Sequence, residues 1–170
     1  AILFHLNDQA PVKSGLSPNG ELVQGADGFL YGTTKSGGDY TYGTLFKIRT
    51  DGSGFAKIVA FNGTTTGTSP SSDVLFAADG KIYGMTTTGK PGEQGTIFTV
   101  NSDGTNYVQI FSFEGTESVS SPVGSYPIGK LTEGSDGLLY GLTSHGGDNG
   151  KGTIFKINKN GTGFQIMVNL

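Results

Sequence analysis

Three copies of one pattern run through this chain of 170 residues, set 52 and then 57 residues apart. Leu30-Tyr31-Gly32 returns as Ile82-Tyr83-Gly84 and as Leu139-Tyr140-Gly141. Gly43-Thr44-Leu45-Phe46 returns as Gly95-Thr96-Ile97-Phe98 and Gly152-Thr153-Ile154-Phe155. Pro18, Pro70 and Pro127 fall in the same register, as do Asp51-Gly52, Asp103-Gly104 and Asn160-Gly161. The five extra residues of the longer interval lie between Phe113 and Leu131. A repeat of this length constrains the fold more than any local propensity, because each unit must bury its apolar face against a neighbour of its own kind.

Each copy reads as four short strands. The first centres on Leu22, Val74 or Leu131. Asp27-Gly28, Asp79-Gly80 and Asp136-Gly137 follow as hairpin turns, since a tight turn needs a positive φ that glycine adopts freely. The Leu-Tyr-Gly segment is the second strand. Its mid-strand glycine costs stability, so its recurrence predicts close approach of another backbone. In the third strand Phe46 and Ile48 share one face, and Leu45, Lys47 and Arg49 the other. In the fourth, Phe55, Lys57, Val59 and Phe61 are assigned one face, like Tyr107, Gln109, Phe111 and Phe113. No window carries a 3.6-residue apolar period.

The fold class that follows is all-β: a β-propeller-like array of four-stranded antiparallel blades in three repeats, with a β-solenoid-like stack as the alternative. Leu3-Phe4-His5-Leu6-Asn7 aligns with Ile58 to Asn62. Residues 1–7 therefore read as the orphan fourth strand of a preceding repeat, with repeats at 8–62, 63–114 and 115–170. A propeller closes with about four to eight blades, so three predict either further repeats of the same chain or neighbouring subunits. The apolar segments at both ends read as those of a piece processed or cropped from a longer secreted chain.

The strands and turns resemble a known family. Leu30-Tyr31-Gly32-Thr33-Thr34 and Gly152-Thr153-Ile154-Phe155-Lys156-Ile157 are similar to the motifs of the Gloeo-Verruco (GloVer) tandem repeats of bacterial secreted and surface-anchored proteins. The second copy departs from them, with Lys90-Pro91 in the Gly-Gly region and Thr99 in place of lysine. The resemblance implies secretion, a propeller-like fold and long arrays. It supplies no catalytic residue.

The chemistry that composition leaves open is narrow. Arg49 is the only arginine and the net charge is −3, which argues against nucleic-acid binding. There is no cysteine, hence no disulfide or thiolate zinc site. No apolar run approaches the ~20 residues of a membrane span. Five of the nine aspartates precede glycine and are explained by turns. No pair of glutamates recurs in register as glycoside chemistry would need. Ser144-His145-Gly146-Gly147-Asp148 has the residue types of a triad, but one short loop does not orient them, so an exposed turn is preferred. Asn101-Ser102-Asp103-Gly104-Thr105 lacks the late acid of a calcium loop and reads as a hairpin. Asn62-Gly63-Thr64 and Asn160-Gly161-Thr162 have the form of glycosylation sequons and read as Asn-Gly turns. No cofactor, metal or catalytic residue is expected.

The recurring Tyr31, Tyr83 and Tyr140, with Phe46, Phe98 and Phe155, read as core. Tyr40 and Tyr42 have no aromatic counterparts in the other copies. Asp39, Tyr40 and Tyr42 of the first copy, with His145 and Asp148 of the third, are the candidate binding residues, suited to stacking on a glycan or meeting a partner protein. The function expected is that of a non-enzymatic extracellular or cell-surface module, structural or adhesive, associating head-to-tail with itself or with further repeats. A glycan-binding propeller module on a surface protein or enzyme is the alternative. A fragment of a propeller enzyme is the third reading.

Overall fold

The computed structural model describes residues 4–7, 13–70, 73–114 and 121–170. Three antiparallel sheets follow one another along the chain. The first orders β1 (Leu16–Gln24), β2 (Leu30–Ser36), β3 (Thr44–Ile48) and β4 (Ala56–Ala60) as they occur in sequence. In the second, β5 (Thr68–Pro70) and β6 (Leu75–Phe76) both pair with β7 (Ile82–Thr88), and β8 (Glu93–Val100) and β9 (Val108–Glu114) complete the sheet. The third runs β10 (Ser125–Glu133), β11 (Leu139–His145), β12 (Thr153–Ile157) and β13 (Gln165–Asn169). This is the blade meander; the solenoid alternative does not hold, because the strands pair antiparallel inside their own sheets, each with its sequence neighbour except β5, which pairs with β7 beside β6. Val74, expected at the centre of a strand, is buried between β5 and β6 instead. Residues 1–3 of the expected orphan strand, residues 8–12 and 71–72, and residues 115–120 of the longer third connection lie outside the described residues.

The hairpins form where Asp-Gly predicts them. Gly28, Gly80 and Gly137 take φ of +80°, +79° and +77°. Each turn closes with a bond from the glycine amide to the carbonyl three residues back, as from Gly28 to Gly25 at 3.0 Å. Asp27 then does two jobs: Oδ1 accepts the Phe29 amide (3.2 Å) and Oδ2 accepts the Tyr31 hydroxyl (2.7 Å). Asp79 with Tyr83 and Asp136 with Tyr140 repeat the hydroxyl bond at 2.8 Å each. In the second hairpins Asp51, Asp103 and Asn160 accept the amide two residues on, so Asn160 and the Asn101–Thr105 segment are turns.

Two strand expectations need correction. The mid-strand glycines meet an aromatic ring rather than a backbone. Gly32, Gly84 and Gly141 stand directly opposite Phe46, Phe98 and Phe155. A Cβ on Gly84 would come within 2.5 Å of Phe98 Cζ, so the ring lies flat over its cross-strand partner. The fourth strands do not keep one face. Register shifts pair Leu45 with Val59 but Phe46 with Lys57, leaving Ile58 as a bulge; Ile110 and Met167 are bulged the same way. Phe55 therefore stacks on Phe46 at 5.6 Å, while Val59 and Phe61 turn to the opposite face.

The sheets stack face to face. Tyr31, Leu45, Val59 and Phe61 of the first blade pack with Val74, Ile82, Phe98 and Val100 of the second in one cluster. Tyr83, Met85, Ile97 and Phe113 pack with Leu131, Leu139, Phe155 and Ile157 of the third in the other. Each blade thus has a trailing face toward its predecessor and a leading face toward its successor.

Candidate functional site: open blade faces and a loop rim

Some repeat positions are covered or open according to whether a blade stands beside them, while Phe46 and Ile48 of the first blade are buried without one. Leu22 is 55% exposed, whereas its equivalents Val74 and Leu131 are each 1% exposed. Leu22, Leu30, Phe46 and Ile48 form the trailing face of the first blade and, with Phe4 and Leu6, line a cleft of about 340 Å³. At the far end the leading face of the third blade carries Tyr140, Leu142, Ile154, Val168 and Leu170. Val168 is 44% exposed where its equivalent Val59 is 7%. Apolar side chains in contiguous exposed patches of this kind mark association surfaces.

Residues 4–7 belong to no sheet, yet they occupy a defined seat. Phe4 stacks on Phe55 at 4.5 Å, as Phe111 of the second blade stacks on Phe164 of the third at 4.4 Å. The Ser14 hydroxyl donates to the Asn7 carbonyl at 2.8 Å, as Ser121 donates to Glu114 at 3.0 Å. Phe4 therefore sits where a preceding blade's fourth strand would place its side chain.

Joints between blades also use backbone. The Ser69 amide donates to the Tyr42 carbonyl (2.9 Å), and Pro70 Cδ lies 2.9 Å from where a Cβ on Gly43 would stand. Pro127 meets Gly95 in the same way. Lys47 Nζ donates to the Ser102 carbonyl across the first joint (3.0 Å), and the Ala78 amide to Glu133 Oε2 across the second (2.7 Å). Lys159 at 2.5 Å, with that amide, holds the Glu133 carboxyl below its usual range.

The expected binding residues fall into two places. Asp39, Tyr40 and Tyr42 lie in the connection between β2 and β3, with Tyr40 54% and Tyr42 45% exposed. Lys57 pairs with Asp39 at 2.6 Å. His145, expected on a loop, is the last residue of β11, where its ring meets Tyr126 edge-on and Nδ1 is 2.9 Å from the Ser144 hydroxyl. Asp148 accepts the Asn169 amide at 2.6 Å. Asp39 and Asp148 are equivalent residues of the first and third blades, each tied to its own fourth strand.

The element not anticipated from sequence is the tyrosine–aspartate bond at the first hairpin, legible as Asp-Gly-x-x-Tyr in every copy. Burial, reinforced by the Asp79 carboxylate, pushes the Tyr83 hydroxyl up to about 12 from 10.0. The same causes raise Tyr31, and burial raises Tyr107. A tyrosine whose folded value is raised contributes stability that is complete below its ordinary value and lost as pH climbs through the folded one. The thermal midpoint, followed by circular dichroism, is therefore expected to decline as pH rises from 10 toward 12, and to decline less steeply in Tyr83→Phe. An unchanged slope in that variant would remove Tyr83 as a contributor.

A family model, the Gloeobacter/Verrucomicrobia repeat, matches residues 1–170. No curated protein sequence matches the chain. Among solved structures it is similar to a chain of a nidogen/laminin complex, at 18% identity and TM-score 0.56, over 93% of this chain and 49% of that one. It is also similar to a protein described as a TolB from Agrobacterium tumefaciens (13% identity, TM-score 0.55, 90% and 49% covered). A gluconolactonase from Xanthomonas campestris superposes with TM-score 0.51 at 14% identity, over 97% and 50%. These likenesses are of fold, that of β-propeller blades, and the chain spans about half the length of each. With the blade meander and its turns matched from end to end, this chain belongs to the Gloeobacter/Verrucomicrobia repeat family as a β-propeller repeat module.

Proposed function

We propose that the chain is a non-enzymatic extracellular module, structural or adhesive, whose working surfaces are the two open blade faces. One observation carries this reading. The trailing face around Leu22 and the leading face around Val168 are the two halves of a joint that the molecule already builds twice inside itself. Head-to-tail association with a like unit is what such surfaces support. The carboxylates of the turns and of the rim are engaged in structural contacts: Asp27 with Tyr31, Asp79 with Tyr83, Asp39 with Lys57 and Glu133 with Lys159 inside their own blades, and Glu133 with the Ala78 amide across the second joint. The extracellular placement comes from the resemblance to secreted repeats.

Immunogold labelling of intact source cells tests the placement, and attachment of those cells to a surface with excess soluble chain present tests the role. Surface label and reduced attachment are expected. Label confined to the cytoplasm would overturn the reading. A second reading, glycan binding, is favoured by the exposure of Tyr40 and Tyr42 on one glycine-rich connection. Glycan-array signal that disappears in Tyr40→Ala and Tyr42→Ala would put it in place of the first.

A further inference from the structure

We propose that the connection from Gly37 to Gly43 is a carbohydrate subsite for one uncharged pyranose ring, with Tyr42 as its stacking surface and Asp39 and Lys57 as its hydrogen-bonding pair. The inference rests on the glycan reading above and adds the residues that form the site, the size of the ligand and its charge.

The first and third blades build this connection on one backbone. Gly37, Gly38 and Gly43 take φ of +75°, +82° and +96°, and Gly146, Gly147 and Gly152 take +79°, +72° and +102°. Parallel bridges join Gly37 to Tyr42 and Gly146 to Lys151. The centre differs: Tyr40-Thr41-Tyr42 in one, Asn149-Gly150-Lys151 in the other. Gly150 has φ +70° and Thr41 has φ +69°. The third blade therefore fills a left-handed position with the residue that suits it, and the first fills the same position with a β-branched residue at a cost in stability. Among the described residues Thr41 is the one β-branched residue at positive φ. Ser17, Ser69 and Tyr126 share a positive φ at one repeat position, so theirs belongs to the blade itself; that of Thr41 stands where another blade has glycine. Strain kept at one copy of a shared loop points to a role for that copy.

The strained residue separates the two exposed tyrosines, and the main chain around it is fixed. The Gly37 amide donates to the Thr41 carbonyl at 3.1 Å, and the Tyr42 carbonyl accepts the Ser69 amide at 2.9 Å. The Cδ2 and Cε2 atoms of the Tyr42 ring lie 3.5 and 3.3 Å from where a Cβ on Gly63 would stand. The ring is thus supported at one edge while remaining 45% exposed. Asp39 and Lys57, joined at 2.6 Å, offer acceptors and donors together with no net charge. At the equivalent place Asp148 is held by Asn169, and no aromatic stands beside it.

The surroundings select the class of ligand. Asp39, Thr64 and Thr65 are exposed, so the tyrosines are bordered by polar groups rather than by more apolar surface. A protein partner covers about 800 Å² on each side with an apolar centre. A sugar ring needs one aromatic face and a few polar groups at its edge. The connection provides the second of these. Because the ion pair is internally neutralised, it suits hydroxyls better than a carboxylate or sulfate.

An array of neutral and acidic oligosaccharides probed with the chain, followed by titration calorimetry with the strongest neutral member, tests this. Signal on neutral members is expected. Tyr42→Ala is expected to weaken binding by about tenfold or more, and Tyr42→Phe by no more than about threefold, since stacking needs the ring and not its hydroxyl. Lys57→Met is expected to weaken it as well. Thr41→Gly is expected to raise the thermal midpoint, since relief of strain exceeds the added freedom of the unfolded chain, and yet to weaken binding by about threefold. Circular dichroism confirms that each variant folds. Silence across the array overturns the site and the glycan reading together and leaves the structural reading standing; a protein retained by the chain but not by Tyr42→Ala would then put a protein surface in its place. Array signal that Tyr42→Ala leaves unchanged overturns this site alone. Signal confined to acidic members overturns the uncharged ligand. A Thr41→Gly variant that is no more stable, or that binds as tightly as the parent chain, overturns the part assigned to Thr41.

Discussion

Phe98→Ala is expected to cost about 3–5 kcal/mol of folding stability, the range for removing a large aromatic from a closed core. Phe98 is fully buried. Its ring covers Gly84 within its own sheet, lies 5.3 Å from Tyr107, and meets Phe61 of the first blade edge-on at 5.5 Å. Removing it opens space at a place where three contacts meet, and Gly84 has no side chain with which to refill it. Denaturant titration followed by fluorescence and by circular dichroism measures the loss. Coincident transitions shifted to lower denaturant are expected. A loss below about 1 kcal/mol would mean that the space collapses freely, and the joint would not be the close-packed core described here.

The second large effect is expected at Gly43. Its φ is +96°, and a Cβ there would press on the carbonyl oxygen of Thr34 while crowding Pro70 Cδ. The obstacle is backbone on one side and a proline ring from the next blade on the other, so neither yields by rotating. Gly43→Ala should cost about 2–5 kcal/mol, combining about 1–2 for the backbone conformation with about 1–3 for overpacking. Gly28→Ala is the comparison: φ is +80°, but nothing lies within 4 Å of its Cβ position. Only the conformational part remains, about 1–2 kcal/mol. Equal losses at the two positions, measured by chemical denaturation, would show that the approach of the next blade contributes nothing.

These two sites differ in how far they could be read without coordinates. Gly43 recurs as Gly95 and Gly152, and Pro18 as Pro70 and Pro127, so both were visible as fixed points. That the proline of one copy rests on the glycine of the copy before was not visible, because it joins residues 27 apart in the first joint and 32 in the second. The strands of the first and third copies and the turns were legible because Asp-Gly and period-two alternation act within a few residues, whereas the first strand expected in the second copy is split into β5 and β6. The alternation failed in the fourth strand for a local reason: a bulge at Ile58, Ile110 or Met167 exchanges the faces on either side of it and has no residue signature of its own. Tyr40 and Tyr42 stand out in the sequence as aromatics outside the repeat pattern; their exposure is a fact of the fold.

The three-copy pattern, the antiparallel four-strand unit and its Asp-Gly hairpins were determined by the sequence alone, since each depends on spacings that repeat locally. The coordinates decided which side of each unit is core. Leu22, Val74 and Leu131 are one repeat position with similar side chains, yet the first is open and the other two are closed. Burial at that position depends on which sheet stands in front of it, and only tertiary structure places the sheets.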